Sequence, residues 1–279
     1  MTGSAVRKLR ASFASHTILI VLSAIFVIPF LWLIGTSLKS LNEISLSNLT
    51  IIPRVFHWDN YPKVFERIPY MRYTMNTLFV TVMSVIGQII SSSLVAYSLT
   101  KVEWKGRGII FPLVVATMLL PFQVTMIPVY MIYQKLGLVG SYWPLIIPTF
   151  TGAPLYIFLL RQFFMTLPDA LIQAARIDGA NDWKIFSRIV MPLCRPALAA
   201  VGIFTFLYTW SDFLGPLLYL NDNAKYTLTL GLQAFMAEHY TEWDLLMAAS
   251  AMFTLPIIVM FFFAQKYFIE GITLTGIKG

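Results

Sequence analysis

The chain has 279 residues, of which 58% are hydrophobic and only 12% charged, with 22 Phe, 13 Tyr, 7 Trp and a mean hydropathy of +0.73. A soluble domain carries about 25% charged residues, so this composition cannot cover an aqueous surface and describes an integral membrane protein. The net charge of +7 lies beside apolar stretches rather than in one basic patch, which removes nucleic acid as a partner; a single cysteine, Cys194, excludes an internal disulfide, and His16, His57 and His239 lack ligand spacing, so metal and redox chemistry are not expected.

A hydrocarbon core about 30 Å thick takes about 20 mainly apolar residues per helix. Six stretches reach that length: 17–38, 73–99, 109–133, 142–160, 197–220 and 246–268. The first follows Arg7, Lys8 and Arg10 but has no small-x-small cleavage site before Lys39, and reads as a retained helix. The second carries Thr77, Thr81, Ser84, Gly87, Gln88, Ser91, Ser92 and Ser93, groups that either let helices approach closely or line a wet path. Pro112, Pro121 and Pro128 interrupt the third stretch, and Pro144, Pro148 and Pro154 the fourth, so both are expected to be bent or broken. Gln123 on the third and the aromatics of the fifth join the candidates for a solute path.

The fifth stretch holds Asp212, the one acid inside a predicted span. Sixteen residues past Pro196, at 1.5 Å of rise each, put it about 24 Å along the helix and toward its far face. With Trp210 beside it, Asp212 is a candidate for an outer gate or the solute path; the bland alternative is an acid anchored at a helix end.

Lys and Arg set the orientation. They cluster at Arg7–Arg10, in Lys101–Arg107, through Arg161–Arg195 and at Lys266 and Lys278, whereas the short opposite loops hold only Lys135 and Lys225. Both termini are therefore expected in the cytoplasm, although the long loop at 39–72 carries five basic residues on the other side. The expected layout is a cytoplasmic N-terminus at 1–16, a six-helix membrane domain at 17–268 and a cytoplasmic tail at 269–279. Its long connections are outer loops at 39–72 and 221–245 and a cytoplasmic loop at 161–196. The fold class is an all-α membrane protein with a helical hairpin between helices 4 and 5.

That cytoplasmic loop, TLPDALIQAARIDGANDWKIFSRIVMPLCRP over 166–196, has the pattern of two short helices. Thr166 and Asp169 have capping-box spacing, Pro168 suits a first turn, and Gly179 can end a helix over 169–177 in a left-handed cap. Asn181 or Asp182 can cap a second helix whose Ile185, Phe186, Ile189 and Val190 form an apolar stripe before Pro192. This stripe can pack on the protein's own helices, lie in the lipid interface, or meet a partner. The small residues Ala174, Ala175, Gly179 and Ala180 favour close approach by another protein.

The loop resembles the signature of transmembrane permease subunits of binding-protein-dependent ABC importers: Glu-Ala-Ala, three residues, Gly, nine residues, then Ile-x-x-Pro. Here these places hold Gln173, Ala174, Ala175, Gly179, Ile189 and Pro192, with Gln173 for the leading Glu, so a charge is missing but a hydrogen-bonding amide remains. Arg176 to Ala180, the tail from Gln265 to Gly279, and WSDFLGPLLYL at 210–220 are similar to the carbohydrate-importing, maltose-transporter type. The resemblance spans essentially the whole chain. It implies half of a heterodimeric carbohydrate pathway in a prokaryotic cell membrane, with a second permease, two ATPase subunits and an extracytoplasmic solute-binding protein as partners.

It further implies an ATPase docking set of Gln173, Ala174, Ala175, Asp178, Gly179, Ala180, Phe186, Ile189 and Pro192, and a solute path or gate among Asp212, Trp210, Ser91, Gln88 and Gln123. Tyr226, Glu238, Tyr240 and Trp243, in a loop with four acids against Lys225, are the implied contacts for the binding protein. ATP and Mg belong to the ATPase partner, since no G-x-x-x-x-G-K-[ST] phosphate loop occurs in this chain and no cofactor is expected on it. An ion-coupled secondary transporter is the alternative, weakened by the scarcity of acids within the spans. A membrane protease would need a catalytic Ser and His or a metal pair at membrane depth, which the histidine positions do not offer.

Overall fold

The computed structural model of the chain describes residues 2–45, 50–236 and 240–276. In chain order the helices are α1 (Thr2–Ser37), α2 (Leu41–Ser45), α3 (Asn60–Arg67), α4 (Tyr70–Thr100), α5 (Arg107–Ala116), α6 (Phe122–Lys135), α7 (Trp143–Ile146) and α8 (Pro154–Thr166). They continue as α9 (Asp169–Ile177), α10 (Asp182–Ile185), α11 (Met191–Leu193), α12 (Arg195–Trp210), α13 (Leu214–Tyr219), α14 (Leu228–Gly231) and α15 (Trp243–Gly276), with a π-helical turn at Phe186–Val190. Among the described residues the β pairing is one isolated bridge, Met236 to Thr241.

Ser15–Ser37, Tyr70–Thr100, Trp143–Thr166 and Trp243–Gln265 are each long and apolar enough to cross a membrane. Two further pairs, Arg107–Leu119 with Phe122–Lys135 and Asp182–Leu193 with Arg195–Trp210, bend by 99° and 79° and raise the number to six if each pair is one span. The second bend falls at Cys194, between α11 and α12, and the first has a local cause. Leu120 precedes Pro121 and is pushed out of the helical region to φ −84°, ψ 110°, so the expected third span breaks there. The expected fifth span, 197–220, is not one helix: α12 stops at Trp210, Ser211 to Phe213 unwind, and α13 restarts at Leu214. The fourth runs on to Thr166, past the expected end at 160, and α15 continues through the expected tail to Gly276.

The chain forms two compact bodies, one of residues up to Pro69 with Leu232–Leu255, the other of Tyr70–Gly231 with the segment from Pro256. In the first, the apolar length of α1 is exposed along almost all its surface, as a lipid-facing helix is, and among the described residues that follow, α3 is tied back to the C-terminal end of α1. Asn60, buried on α3, donates to the carbonyls of Ser37 (3.0 Å) and Lys39 (2.9 Å), and Ser37 Oγ meets the Tyr61 hydroxyl at 2.9 Å. The buried Lys39 ammonium is satisfied by the Thr50 carbonyl, and Arg67 pairs with Glu242 at 3.1 Å. Such pairing is required because buried polar groups without partners cost more than the bond is worth.

The second body is built on α4, which packs against α8, α12 and the 3-10 turn Ile147–Thr151. Its small residues do what lipid-embedded helices need, bringing backbones together where no hydrophobic gain is available. A Cβ at Gly87 would run into the Phe150 ring and Thr149, and Ser91 Oγ donates to the Thr149 carbonyl at 2.8 Å. Both options left open for this helix are therefore used: Gly87 and Ser91 serve packing, while Thr77 and Gln88 line a cavity.

Candidate functional site

Two features stand out in the second body, a helical hairpin and a large cavity. The hairpin begins at Asp169. Its carboxylate does not close the expected capping box, because Lys101 takes it at 2.7 Å and Thr166 Oγ1 donates to the Phe163 carbonyl instead. The same Lys101 ammonium, 6% exposed, also donates to the Leu167 carbonyl at 2.9 Å and so clamps the hairpin to the end of α4. Beside that ammonium the Asp169 carboxyl is held below the usual carboxylate range.

α9 ends as its sequence predicts. Gly179 sits at φ +76°, the Gly179 amide donates to the Arg176 carbonyl (3.1 Å), and the Ala180 amide reaches back to the Ala175 carbonyl (2.9 Å), a Schellman closure that a side chain at 179 would strain. Asn181 caps the second helix by accepting from the Lys184 amide at 2.9 Å. Asp182 is left to accept from Arg176 at 3.3 Å, which ties the two helices together. Pro192 does not stop the second helix. A π turn precedes it, with the Met191 amide bonded to the Phe186 carbonyl, and the chain turns only at Cys194 into α12.

The apolar stripe packs on the protein's own helices. Ile172, Ala175, Ile185, Phe186 and Val190 are buried in one cluster with Tyr97 of α4, Phe164 of α8 and Val201 of α12; the Tyr97 and Phe186 rings lie 5.3 Å apart. Within the proposed docking set, Ala175 and Phe186 thus face inward, because helical periodicity puts them on the stripe that α4 and α8 cover. Gln173, Ala174, Asp178, Gly179 and Pro192 are exposed, and Ala180 and Ile189 are half-buried. Next to them Ile177 is 87% and Trp183 64% exposed, two apolar side chains outside both the cluster and the signature positions.

The cavity, of about 610 Å³, lies where the broken helices meet. Gln88 and Asp212 line it, together with Tyr133, Tyr156, Tyr208 and Tyr219 and several threonines. Asp212 stands in the gap between α12 and α13, where its Oδ1 accepts from the Gly215 amide at 3.1 Å and its carbonyl accepts from Thr229 Oγ1 at 2.6 Å. It is thus both a helix-restarting cap and, among the described residues, the one charged residue in the lining. The other path candidates lie elsewhere: Ser91 is buried in packing, Trp210 is buried and stacked on Phe206 at 5.4 Å, and Gln123 is exposed while Phe122 and Thr125 beside it line the cavity. The prolines were the signal for Tyr133 and Tyr156, since interrupted spans are where membrane cavities are built.

Of the outer-loop candidates, Tyr226 is half-buried, 6.2 Å from the Tyr73 ring, with its carbonyl accepting from Asn76 at 2.9 Å. Tyr240 and Trp243 are exposed, and Glu238 lies outside the described residues.

Over residues 88–273 the chain matches the family described as binding-protein-dependent transport system inner membrane component. The chain belongs to that family. It is 36% identical over 258 residues to the arabinooligosaccharides transport system permease protein AraQ of Halalkalibacterium halodurans, covering 91% of this chain and 92% of the relative. It is 35% identical over 254 residues to the melibiose/raffinose/stachyose import permease protein MelC of Bacillus subtilis, covering 90% and 91%. Its fold is shared with a chain of a bacterial ABC transporter involved in the import of the acidic polysaccharide alginate, at a TM-score of 0.82 and 23% identity, over 94% of this chain and 98% of the other. As a family member it is an inner-membrane transport permease.

Proposed function

We propose that the chain is a permease subunit of an ABC importer, forms half of a carbohydrate pathway and couples it, through the 169–190 hairpin, to a separate ATPase. The names of relatives such as AraQ and MelC support the carbohydrate class. One observation carries the coupling: the hairpin is seated through its buried stripe, with Lys101 bonded at its start, yet holds Ile177 and Trp183 outward beside Ala174 and Gly179. A surface that is built firmly and left apolar fits a partner groove. The pore subunit hydrolyses nothing itself; ATP and Mg sit on the ATPase. Contact must differ between the open and closed ATPase states, since equal contact would shift nothing.

In this reading the hairpin and both termini are cytoplasmic, six spans cross a prokaryotic membrane, and a second permease completes the pathway. The exposed Tyr240 and Trp243 belong to the face that meets the solute-binding protein. A lining of tyrosines, threonines and Gln88 around one carboxylate suits a neutral oligosaccharide, stacking its rings and bonding its hydroxyls, and repels a uronate. Gentle purification of the tagged chain from its own membranes, with mass spectrometry of what co-purifies, tests the assembly. The expected result is a second six-helix permease and an ATPase with a phosphate loop; a homo-oligomer without ATPase, from membranes where the chain supports uptake, would overturn it in favour of ion coupling.

A further inference from the structure

At the hairpin end of the second body a separate cavity of about 380 Å³ lies among the ends of α4 and α8 and the starts of α5 and α9. Three cations line it, Lys101, Arg107 and Arg161, against one carboxylate, Asp169. Lys101 is neutralised by Asp169, which, among the described residues, leaves the two guanidinium charges without a carboxylate in the cavity. Arg107 donates to the Val102 carbonyl at 3.2 Å. Arg161 lies 3.9 Å above the Phe111 ring, and its buried Nε has no hydrogen-bond partner. α5 starts here too, with Gly106 offering no side-chain cap and Gly108 in the lining, so the positive end of a ten-residue helix adds to the field.

The surroundings say what kind of anion fits. The cavity sits where membrane-crossing helices end, and from it an exposed apolar flank runs along α5 and α8 through Ile109, Leu113, Phe158 and Met165, with Phe111 stacked on Phe158 at 6.3 Å. Cations at the rim of an apolar strip match a molecule with a phosphate at one end and hydrocarbon behind it, and basic pockets between helices at the membrane edge are where anionic headgroups bind. We propose that this cavity holds the phosphate of an anionic phospholipid, gripped by Arg107 and Arg161 with its acyl chains on the α5–α8 flank. Its place against Lys101 puts the lipid beside the clamp that mounts the hairpin.

The test is native mass spectrometry of the full-length chain released from detergent containing equal phosphatidylglycerol and phosphatidylcholine. Wild type should retain phosphatidylglycerol about tenfold over phosphatidylcholine, and Arg107→Gln with Arg161→Gln should bring the ratio close to one. Arg107→Lys with Arg161→Lys should keep most of the preference, since the charge remains. If Arg161→Gln fails to fold, Arg107→Gln alone, at an exposed rim position, should still lower the ratio. Equal retention of both lipids by wild type, or a preference untouched by Arg107→Gln, would refute the site. Loss of retained phosphatidylglycerol on adding millimolar inorganic phosphate would likewise overturn the lipid in favour of a free anion.

Discussion

The hairpin and the large cavity belong to the same body but are made in opposite ways. The hairpin's shape is local: the Gly179 and Asn181 caps make bonds within a few residues, and the stripe at Ile185, Phe186 and Val190 is set by the same short stretch, although it packs on α4, α8 and α12. The cavity is assembled from residues as far apart as Thr77 and Thr227, brought together by helices that break at Pro121 and after Trp210. A local device can be rigid and outward-facing at the same time, whereas a cavity between broken helices can change shape when those breaks move. The division suits a machine in which one part transmits force and the other opens and closes.

The strongest way to break this comparison is to empty the hairpin's base. Phe186→Ala removes a buried ring between Tyr97 and Trp183 and should cost about 3–5 kcal/mol of local stability. Faster hydrogen exchange over 169–190, with the cavity-lining helices unchanged, is the expected readout. Gly179→Leu comes next. Nothing lies within 4 Å of a Cβ there, so the side chain fits but is forced at φ +76°, costing about 1–2 kcal/mol, and it also stands in the proposed docking face. Uptake should fall while ATP hydrolysis by the assembled transporter persists; Gly179→Asn, which tolerates the left-handed region, should retain coupling, and wild-type uptake by the leucine variant would count against docking here.

On the cavity side, Asp212→Asn keeps an acceptor for the Gly215 amide and removes only the charge. It should leave thermal stability unchanged and relax the proposed exclusion of uronate oligosaccharides, whereas Asp212→Ala should also lose about 1 kcal/mol of helix capping. Unaltered selectivity and uptake in both would reduce Asp212 to a cap. The smallest effect belongs to Asp169. Its folded carboxyl titrates lower than its unfolded one, so the Lys101 pair stabilises the hairpin above the unfolded value, near pH 4, and that stability fades as pH falls through the lower folded value. Because Asp169 is 76% exposed, wild type and Asp169→Asn should melt within a degree or two of each other at neutral pH and coincide in acid.

These contrasts also explain what could be read from the sequence. Membrane class, the helical hairpin and its Gly179 and Asn181 caps were legible because each rests on composition or on neighbours a few residues apart. The capping box at Thr166 and Asp169 was not, since the competitor for Asp169 is Lys101, remote in the chain and close in space. Gln123 and Gln88 looked alike in the sequence, yet one faces outward and one lines the cavity, because the 99° break between α5 and α6 resets which face looks inward. The hydrogen bonds of Asn60 and the burial of Lys39 likewise depend on carbonyls that no spacing rule identifies.

The most direct test of the central claim, that the outward face of the hairpin carries the ATPase contact, is cysteine cross-linking in native membranes. Cys194 is buried, so a cysteine introduced at Ala174 is the reactive one. The account predicts that Ala174→Cys captures the phosphate-loop ATPase and that Phe186→Cys, on the buried face, does not. Capture from Phe186→Cys but not from Ala174→Cys, or no ATPase at all from an Ala174→Cys chain that still supports uptake, would contradict it.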